Sequence, residues 1–217
     1  LIGGGHTHVV ALRQLARNPA PCIDLHLVSP EPTTSYSGLL PGHIAGHWPR
    51  ETLEIPLEPL CRAAGATLHS TEVVHLDPET RITMFADGDP FTFDYASLDI
   101  GAIAAIDAPK SLASHGIPVK PLGIFADRWS QFLANVSSEA TPPHAAIIGA
   151  GAAGIELALS MKYHLDSLRL KQRVCVSLIE RSNDILPGGN DRLRKPLSKA
   201  LDRVGVKVRT AASVTDA

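Results

Sequence analysis

The chain has 217 residues, of which 44% are hydrophobic and 19% are charged, and its formal net charge is −2. This is the composition of a globular protein and excludes a largely disordered chain. The near-neutral charge excludes a protein that binds nucleic acid chiefly through phosphates, and no apolar run approaches the roughly 18 residues of a membrane-spanning helix.

The first 28 residues predict a strand, a glycine-rich turn, a helix and a second strand. Apolar residues at helical spacing follow the turn as far as Asn18-Pro19, which ends the helix. The chain opens at Leu1-Ile2-Gly3, inside what we interpret as the end of a strand, and stops with no obvious closing element. We therefore expect a fragment that is cut at both ends and inactive by itself.

Residues 29–60 are rich in proline, glycine, serine and threonine and predict a long loop with at most short helices. Strands at 71–76, 81–85 and 91–94, separated by turn sequences, predict an antiparallel meander. Residues 97–101 predict a short buried strand that ends in Gly101.

Residues 105–121 predict a crossover segment, and 123–136 predict an amphipathic helix whose apolar stripe includes Ile124. The polar linker 137–143 marks a domain boundary. The strand–turn–helix pattern then restarts. We expect strands at 145–148, 173–179 and 206–208, and helices at 152–164 and 190–203.

The motif with the clearest chemical meaning is GAGAAG at 149–154, a GxGxxG between a predicted strand and a predicted helix. Gly149 permits the tight turn, Gly151 lets the backbone approach a pyrophosphate, and Gly154 lets the helix lie close to the strand. The phosphates would sit at the helix N-terminus, where free amides favour an anion. The alternative, an ordinary strand-to-helix turn, is disfavoured by this context.

Glu180 ends the next predicted strand. A carboxylate there can accept hydrogen bonds from both hydroxyls of an adenosine ribose and repels a 2′-phosphate, which favours NADH over NADPH. The interval from Gly154 to Glu180 is longer than the roughly 20 residues of the usual unit. We place the excess in a loop insertion at 165–172, and Arg181 keeps some tolerance of a 2′-phosphate open.

The first turn, GGGHTH at 3–8, is less regular. Gly3 and Gly5 match the first two glycines, but His8 takes the third place, where a bulky side chain either loosens the helix packing or turns its ring outward. His6 and His8 are candidate donors near a pyrophosphate. Ser29 ends the following strand as a weaker ribose partner than a carboxylate, and Glu31, two residues later, is the alternative. Two such turns suggest two dinucleotides, the arrangement that passes a hydride from a nicotinamide to a flavin.

Together these features resemble the pyridine nucleotide-disulfide oxidoreductases, flavoproteins that bind two dinucleotides. Within them, the chain is similar to type II NADH dehydrogenase-like proteins and to the flavoprotein module fused to selenide, water dikinase (selenophosphate synthetase). The finer match is carried by GGGHTHV at 3–9, YSGLLPG at 36–42, SLDIG at 97–101 and VKPL at 119–122.

The resemblance implies an α/β fold of two Rossmann-like, doubly wound units with an antiparallel β-meander. It implies the N-terminal part of an FAD-binding domain at 1–110, a crossover helix and linker at 111–143, and an incomplete NAD(P)H-binding domain at 144–217. The expected cofactor-binding residues are Gly3, Gly4, Gly5, His6, His8, Ser29, Pro41, Gly101, Lys120, Gly149, Gly151, Gly154, Glu156, Glu180 and Arg181.

The implied activity is an FAD-dependent NAD(P)H oxidoreductase, in which hydride passes from NADH to FAD and then to an unidentified acceptor. In relatives, the glutamate placed like Glu156 lies near the nicotinamide–flavin contact, and the stretch at Pro41 approaches the isoalloxazine ring. Lys120 either reaches the polar edge of the flavin or is solvated. The absence of a CxxC disfavours thiol–disulfide chemistry. The alternative is a non-catalytic nucleotide-binding or docking module of a selenophosphate synthetase partner, which the irregular first turn favours.

We expect no metal site. His43 and His47 stand four apart, but neighbouring glycines weaken a helix there. The three cysteines form no CxxC, so a disulfide framework is disfavoured and a reducing cytoplasm is expected. No basic amphipathic helix marks membrane attachment in this segment, although a peripheral membrane location of the full-length protein stays open.

Overall fold

The structure is a computed structural model that describes residues 1–88, 90–101 and 115–215. It has a mixed α/β architecture. In chain order the elements are α1 (His6–Arg17), β1 (Leu25–Val28), β2 (Thr33–Ser35), a 3-10 turn (Ser37–Leu39), α2 (Leu40–Ile44), a second 3-10 turn (Arg50–Leu53), β3 (Glu54–Pro56), α3 (Leu57–Ala64), β4 (Ala66–His69), β5 (Val73–Asp77), β6 (Ile82–Phe85), β7 (Pro90–Thr92), α4 (Leu122–Ser137), β8 (His144–Ile148), α5 (Ala152–Ser167), β9 (Cys175–Ile179), α6 (Asp191–Arg203) and β10 (Lys207–Arg209).

The chain divides into two compact units, each built from two stretches of sequence. The first unit comprises Leu1–Tyr36 and Glu54–Ile103, and the second comprises Ser37–Leu53 and Ala104–Ala217. The short segment from Ser37 to Leu53 therefore belongs to the same unit as the second glycine turn.

In the first unit, β1 pairs with β4 in parallel, and Ile2 makes parallel bridges to Val28 and Leu98. The first residues of the chain thus lie between two other extended segments, as the first strand of a Rossmann unit does. Helices α1 and α3 cover this sheet and bury a small apolar core. The core residues are Val9, Leu12, Leu27, Leu57 and Cys61.

The meander β5-β6-β7 is antiparallel and forms a separate sheet of the first unit. The strands β2 and β3 pair with each other antiparallel in a third, two-stranded sheet.

The second unit is built on a parallel sheet in the order β10-β9-β8, with α5 connecting β8 to β9. Its core is larger than that of the first unit and includes fully buried Ile155, Leu165 and Leu178. The Ile44 carbonyl, at the end of α2, accepts hydrogen bonds from Trp129 Nε1 (3.2 Å) and His164 Nδ1 (2.8 Å). These two bonds attach the segment from Ser37 to Leu53 to α4 and α5.

Several predictions made from periodicity are confirmed. The first helix, the meander, the helix at 122–137 and the strand–turn–helix pattern after residue 144 are all present, with bounds that differ by a few residues. The parallel pairing of β9 with β8 on one side and β10 on the other agrees with the doubly wound architecture expected for this half.

Three local predictions are wrong. The region 29–60 is more ordered than a loop, because β2 pairs with β3 and α3 begins at Leu57. Residues 97–101 are not a buried strand, since Leu98 makes a single bridge and is 57% exposed. Ile124 is likewise 57% exposed, on the outer face of α4.

The additional residues between Gly154 and Glu180, which we placed in a loop insertion at 165–172, form a loop only in part, because α5 continues to Ser167. Most of the predicted crossover at 105–121 lies outside the described residues. Among the residues that the structure describes, no helix is both long enough and apolar enough to span a bilayer.

Candidate functional site

The second glycine turn joins β8 to α5, and each glycine has a distinct structural reason. Gly149 has φ +96°, a left-handed conformation that side chains other than glycine rarely adopt. A Cβ on Gly154 would overlap the carbonyl oxygen of Gly149, so this glycine allows α5 to lie against the end of β8. A Cβ on Gly151 would meet no atom within 4 Å, so the space beside this residue is open.

The start of α5 presents unpaired backbone donors. Within the described ranges, the amides of Ala152 and Ala153 have no hydrogen-bond partner. The first amides of a helix have no carbonyl within the helix to bond, and together with the helix dipole they attract anions. The turn therefore combines open space with free donors, which is the arrangement a pyrophosphate requires.

Glu180 follows β9 directly, and its carboxylate reaches the same turn. Oε2 accepts from the Ala150 amide (2.7 Å) and Oε1 from the Ser182 amide (2.9 Å), while the residue is only 5% exposed. These hydrogen bonds, that from Ser182 foremost, lower the pKa of Glu180 although burial opposes them. The side chain is therefore an ionised acceptor beside the turn. The neighbouring Arg181 is exposed.

The first glycine turn has a similar backbone, but a carboxylate of the protein lies at the start of its helix. Gly3 has φ +90°, and α1 begins at His6, directly after Gly5. Asp99 Oδ2 accepts from the Thr7 amide (2.8 Å) and the His8 amide (3.3 Å), both in the first turn of α1. A Cβ on Gly5 would overlap this carboxylate. The start of α1 thus already holds an anion, which belongs to the protein.

Asp99 is a functional candidate that the sequence analysis missed. The available signal was an acidic residue just before Gly101, in the extended segment that bridges to Ile2. Because residues after parallel strands meet at the edge where the glycine turn lies, an acid there is placed to face the turn.

The His8 ring points into the first unit and is 2% exposed, so of the two alternatives given for this residue the outward orientation is wrong. Since a carbonyl only accepts, Nδ1 carries the proton and donates to the Gly3 carbonyl (2.7 Å), and Nε2 accepts from the Ser97 hydroxyl (2.9 Å). Both ring nitrogens are therefore engaged by protein atoms. A donor role of this ring toward phosphates stays a prediction.

The other predicted residues of the first unit lie near the turn or at its edge. His6 stacks on Tyr36 with ring centroids 4.7 Å apart. Ser29 is buried, and its hydroxyl donates to the Glu31 carbonyl (3.0 Å). A Cβ on Gly4 would lie 3.5 Å from this hydroxyl, so Gly4 and Ser29 are neighbours. Gly101 is exposed with φ +75°.

In the second unit, Glu156 is exposed on α5, one turn after its start, and Lys120 is exposed just before α4. Pro41 lies in the first turn of α2. Their proximity to a cofactor stays a prediction.

The histidines of the segment from Ser37 to Leu53 do not form a shared ligand pair. His43 is buried, with Nδ1 bonded to the Trp48 carbonyl (3.0 Å), whereas the ring of His47 packs on Tyr163. Among the described side chains, no group of three or more potential metal ligands was found.

Comparison with known proteins agrees with this geometry. The family model for pyridine nucleotide-disulphide oxidoreductases matches residues 1–217. The NADH dehydrogenase-like protein YutJ of Bacillus subtilis (strain 168) is 26% identical over 220 residues, which cover 99% of this chain and 57% of that protein.

Solved structures show the same fold. The structure of NDH2 from Plasmodium falciparum in complex with NADH superposes with a TM-score of 0.80 at 17% identity, over 100% of this chain and 48% of that one. An NAD-dependent persulfide reductase from A. fulgidus superposes with a TM-score of 0.77 at 20% identity, over 99% of this chain and 40% of that one. The chain spans about half the length of these relatives. Because the family model covers the whole sequence, the chain belongs to the pyridine nucleotide-disulphide oxidoreductase family.

Proposed function

We propose that the chain forms the FAD- and NADH-binding part of an FAD-dependent NAD(P)H oxidoreductase. In this proposal residues 1–110 contribute to FAD binding and residues 144–217 contribute to NAD(P)H binding. Residues 111–143 form the crossover helix and linker between them. The observation that carries it is the second turn, where two free amides start α5 beside the ionised Glu180. Bound FAD supplies the chemistry, since it accepts a hydride from NADH and passes the electrons to an acceptor.

The residues at the second turn fit a dinucleotide as they stand. The amides of Ala152 and Ala153 are available to a pyrophosphate, and the space beside Gly151 admits it. An ionised carboxylate has about four lone-pair sites, of which Glu180 uses two on backbone amides. The Ser182 side chain also bonds to this carboxylate. The site that remains is proposed to accept from a ribose hydroxyl, and the negative charge disfavours a 2′-phosphate.

The backbone at the first turn fits the diphosphate of FAD, although its amides, unlike those of the second turn, already have an acceptor in the protein. Gly3 and Gly5 remove the side chains that would crowd the turn, and α1 starts directly after it. The Asp99 carboxylate lies on the amides that would bind the phosphates, so its side chain must move aside when FAD binds. The main chain needs no rearrangement for this.

The remaining roles rest on family resemblance together with exposure. Glu156 and Lys120 are exposed, so both are able to contact a ligand. Glu156 is proposed to lie near the nicotinamide, and Lys120 is proposed to lie at the flavin. Pro41 is proposed to approach the flavin ring. None of these residues is needed as an acid or base for hydride transfer, because positioning of the two rings suffices.

The test is an anaerobic titration of the full-length natural protein with NADH, followed at the flavin absorbance band at about 450 nm. We expect the band to bleach, and NADPH to bleach it at much higher concentrations. A yellow protein that does not bleach at any NADH concentration would defeat the proposal. A colourless protein that retains NADH affinity would indicate the non-catalytic module instead.

A selenophosphate synthetase, fused or separate, is a further part of the proposal and is supported by the four matching sequence segments alone. Sedimentation of the full-length protein with selenophosphate synthetase tests a separate partner. Independent sedimentation of two separate chains at micromolar concentrations would contradict it.

A further inference from the structure

We propose that Asp99 is a built-in competitor of the flavin dinucleotide, whose carboxylate occupies the diphosphate position of the first turn. The inference rests on the proposed function. It concerns a residue that lies outside the glycine motif and that the sequence pattern did not single out.

The Asp99 carboxylate is placed where a phosphate oxygen would bind. Oδ2 accepts from the amides of Thr7 and His8, at 2.8 and 3.3 Å, and both amides belong to the first turn of α1. Such charge-assisted bonds, aligned with the helix dipole, stabilise an anion at this position. A diphosphate needs the same donors and carries the same sign of charge, so the two cannot occupy the helix start together without repulsion.

The main chain of Asp99 is fixed independently of its side chain. Its amide donates to the Ile2 carbonyl (2.9 Å), and its own carbonyl accepts from the Gly5 amide (3.1 Å). Rotation of the carboxylate away from α1 therefore leaves these backbone bonds intact.

The second turn provides a comparison within the same molecule. There the amides of Ala152 and Ala153 are unpaired among the described residues, and the nearby acid, Glu180, bonds to Ala150 in the turn instead of to the helix start. One turn is thus open to a diphosphate and the other is closed by a carboxylate. Removing Asp99 should affect FAD and leave NADH unchanged.

The experiment measures FAD binding to the flavin-free full-length protein by quenching of flavin fluorescence. Four forms are compared: wild type, Asp99→Ala, Asp99→Asn, and Asp94→Asn, which neutralises an exposed acid elsewhere in the first unit. NADH affinity is measured on each form by nucleotide fluorescence. The thermal midpoint of each flavin-free form is recorded as the structural readout.

We expect Asp99→Ala to bind FAD about tenfold more tightly than wild type, with a smaller gain for Asp99→Asn, which keeps an acceptor but loses the charge. The thermal midpoint of the flavin-free Asp99→Ala protein should fall, because two helix amides lose their acceptor. A variant that is less stable without ligand and yet binds FAD more tightly is a combination that a purely structural role does not produce. Asp94→Asn should change neither property.

Folded Asp99 variants that bind FAD as weakly as wild type, or more weakly, would overturn the inference. If Asp99→Ala does not fold, the FAD affinity of Asp99→Asn alone tests the inference. The two proposals fail separately: wild type that binds FAD and bleaches with NADH, with no gain in the variants, refutes only the role of Asp99. Tighter FAD binding by the variants without any bleaching refutes only the oxidoreductase.

Discussion

At the scale of single residues, Glu180 combines a structural role with the proposed binding role in one carboxylate. Its two oxygens accept from amides on either side, Ala150 in the glycine turn and Ser182 in the following loop. The side chain thereby connects the end of β9 to the turn after β8. Substitutions at this position should therefore separate into effects on nucleotide choice and effects on stability.

Glu180→Ala should weaken NADH binding and narrow the preference for NADH over NADPH by about 1–3 kcal/mol, as expected for lost hydrogen bonds to a charged acceptor. Dissociation constants of both nucleotides, measured on the flavin-free protein, check this. Arg181→Ala serves as the control and should weaken NADPH more than NADH. An unchanged preference in Glu180→Ala would show that this side chain does not read the ribose.

The lowered pKa of Glu180 predicts a pH-dependent contribution to stability. Because the folded protein holds the carboxylate ionised below the pKa of the unfolded chain, the contribution is present above the unfolded pKa and is lost as the pH falls through the folded pKa. Glu180→Gln should therefore lower the free energy of unfolding by about 1–3 kcal/mol at pH 7.

The difference between Glu180→Gln and wild type should shrink as the pH falls below the ordinary carboxyl range, and it should disappear only once the folded wild-type side chain, whose pKa is lowered, is itself protonated. Urea unfolding at a series of pH values measures it. A difference that stays constant over this range would mean that charge plays no part in the stabilisation.

At the scale of elements, the contact between α5 and β8 depends on one missing side chain. Gly154→Ala would place a Cβ on the Gly149 carbonyl oxygen, so α5 must move away from the strand. We expect a loss of about 1–3 kcal/mol of stability, as for overpacked sites, together with weaker NADH binding because the helix start moves.

Gly151→Ala is the matched control for this change. Its Cβ would meet no protein atom within 4 Å, so the fold should be unaffected while the methyl group obstructs the pyrophosphate. Thermal unfolding and NADH titration of both variants distinguish the two roles. Equal destabilisation by the two substitutions would contradict the assignment of packing to one glycine and ligand access to the other.

At the scale of the whole molecule, the chain passes between its two units more than once. Residues from Ser37 to Leu53 belong to the second unit although they lie between two stretches of the first. Within that unit, the Ile44 carbonyl is held by Trp129 and His164. The attachment of this segment thus depends on contacts between residues that are far apart in sequence.

Trp129→Phe keeps the aromatic ring but removes one of the two donors to Ile44. We expect a loss of about 0.5–1.5 kcal/mol of stability and faster hydrogen exchange at the amides of Ala45 and Gly46. Trp48→Phe is the control, since Trp48 is 47% exposed and only its carbonyl bonds to His43. Equal exchange in the two variants would show that the tryptophan bond does not hold the segment.

Much of the fold was predictable because local patterns encode it. Helical spacing and a GxGxxG between apolar segments sufficed for β8, α5 and β9, and the turns between apolar segments sufficed for the meander. The features that could not be predicted depend on partners that are far away in the sequence. The inward ring of His8 needs Ser97, and the cap on α1 needs Asp99, each about 90 positions along the chain.

The bonds that hold Glu180 in place have a consequence for the proposed selectivity between nucleotides. In the proposed function, a ribose that reaches the second turn would meet a carboxylate whose rotamer is already fixed by the amides of Ala150 and Ser182. Little side-chain entropy remains to be lost at that moment, so the acceptor is preorganised. The same rigidity would prevent the carboxylate from turning away from a 2′-phosphate, so the proposed discrimination would already be built into the protein before the nucleotide binds.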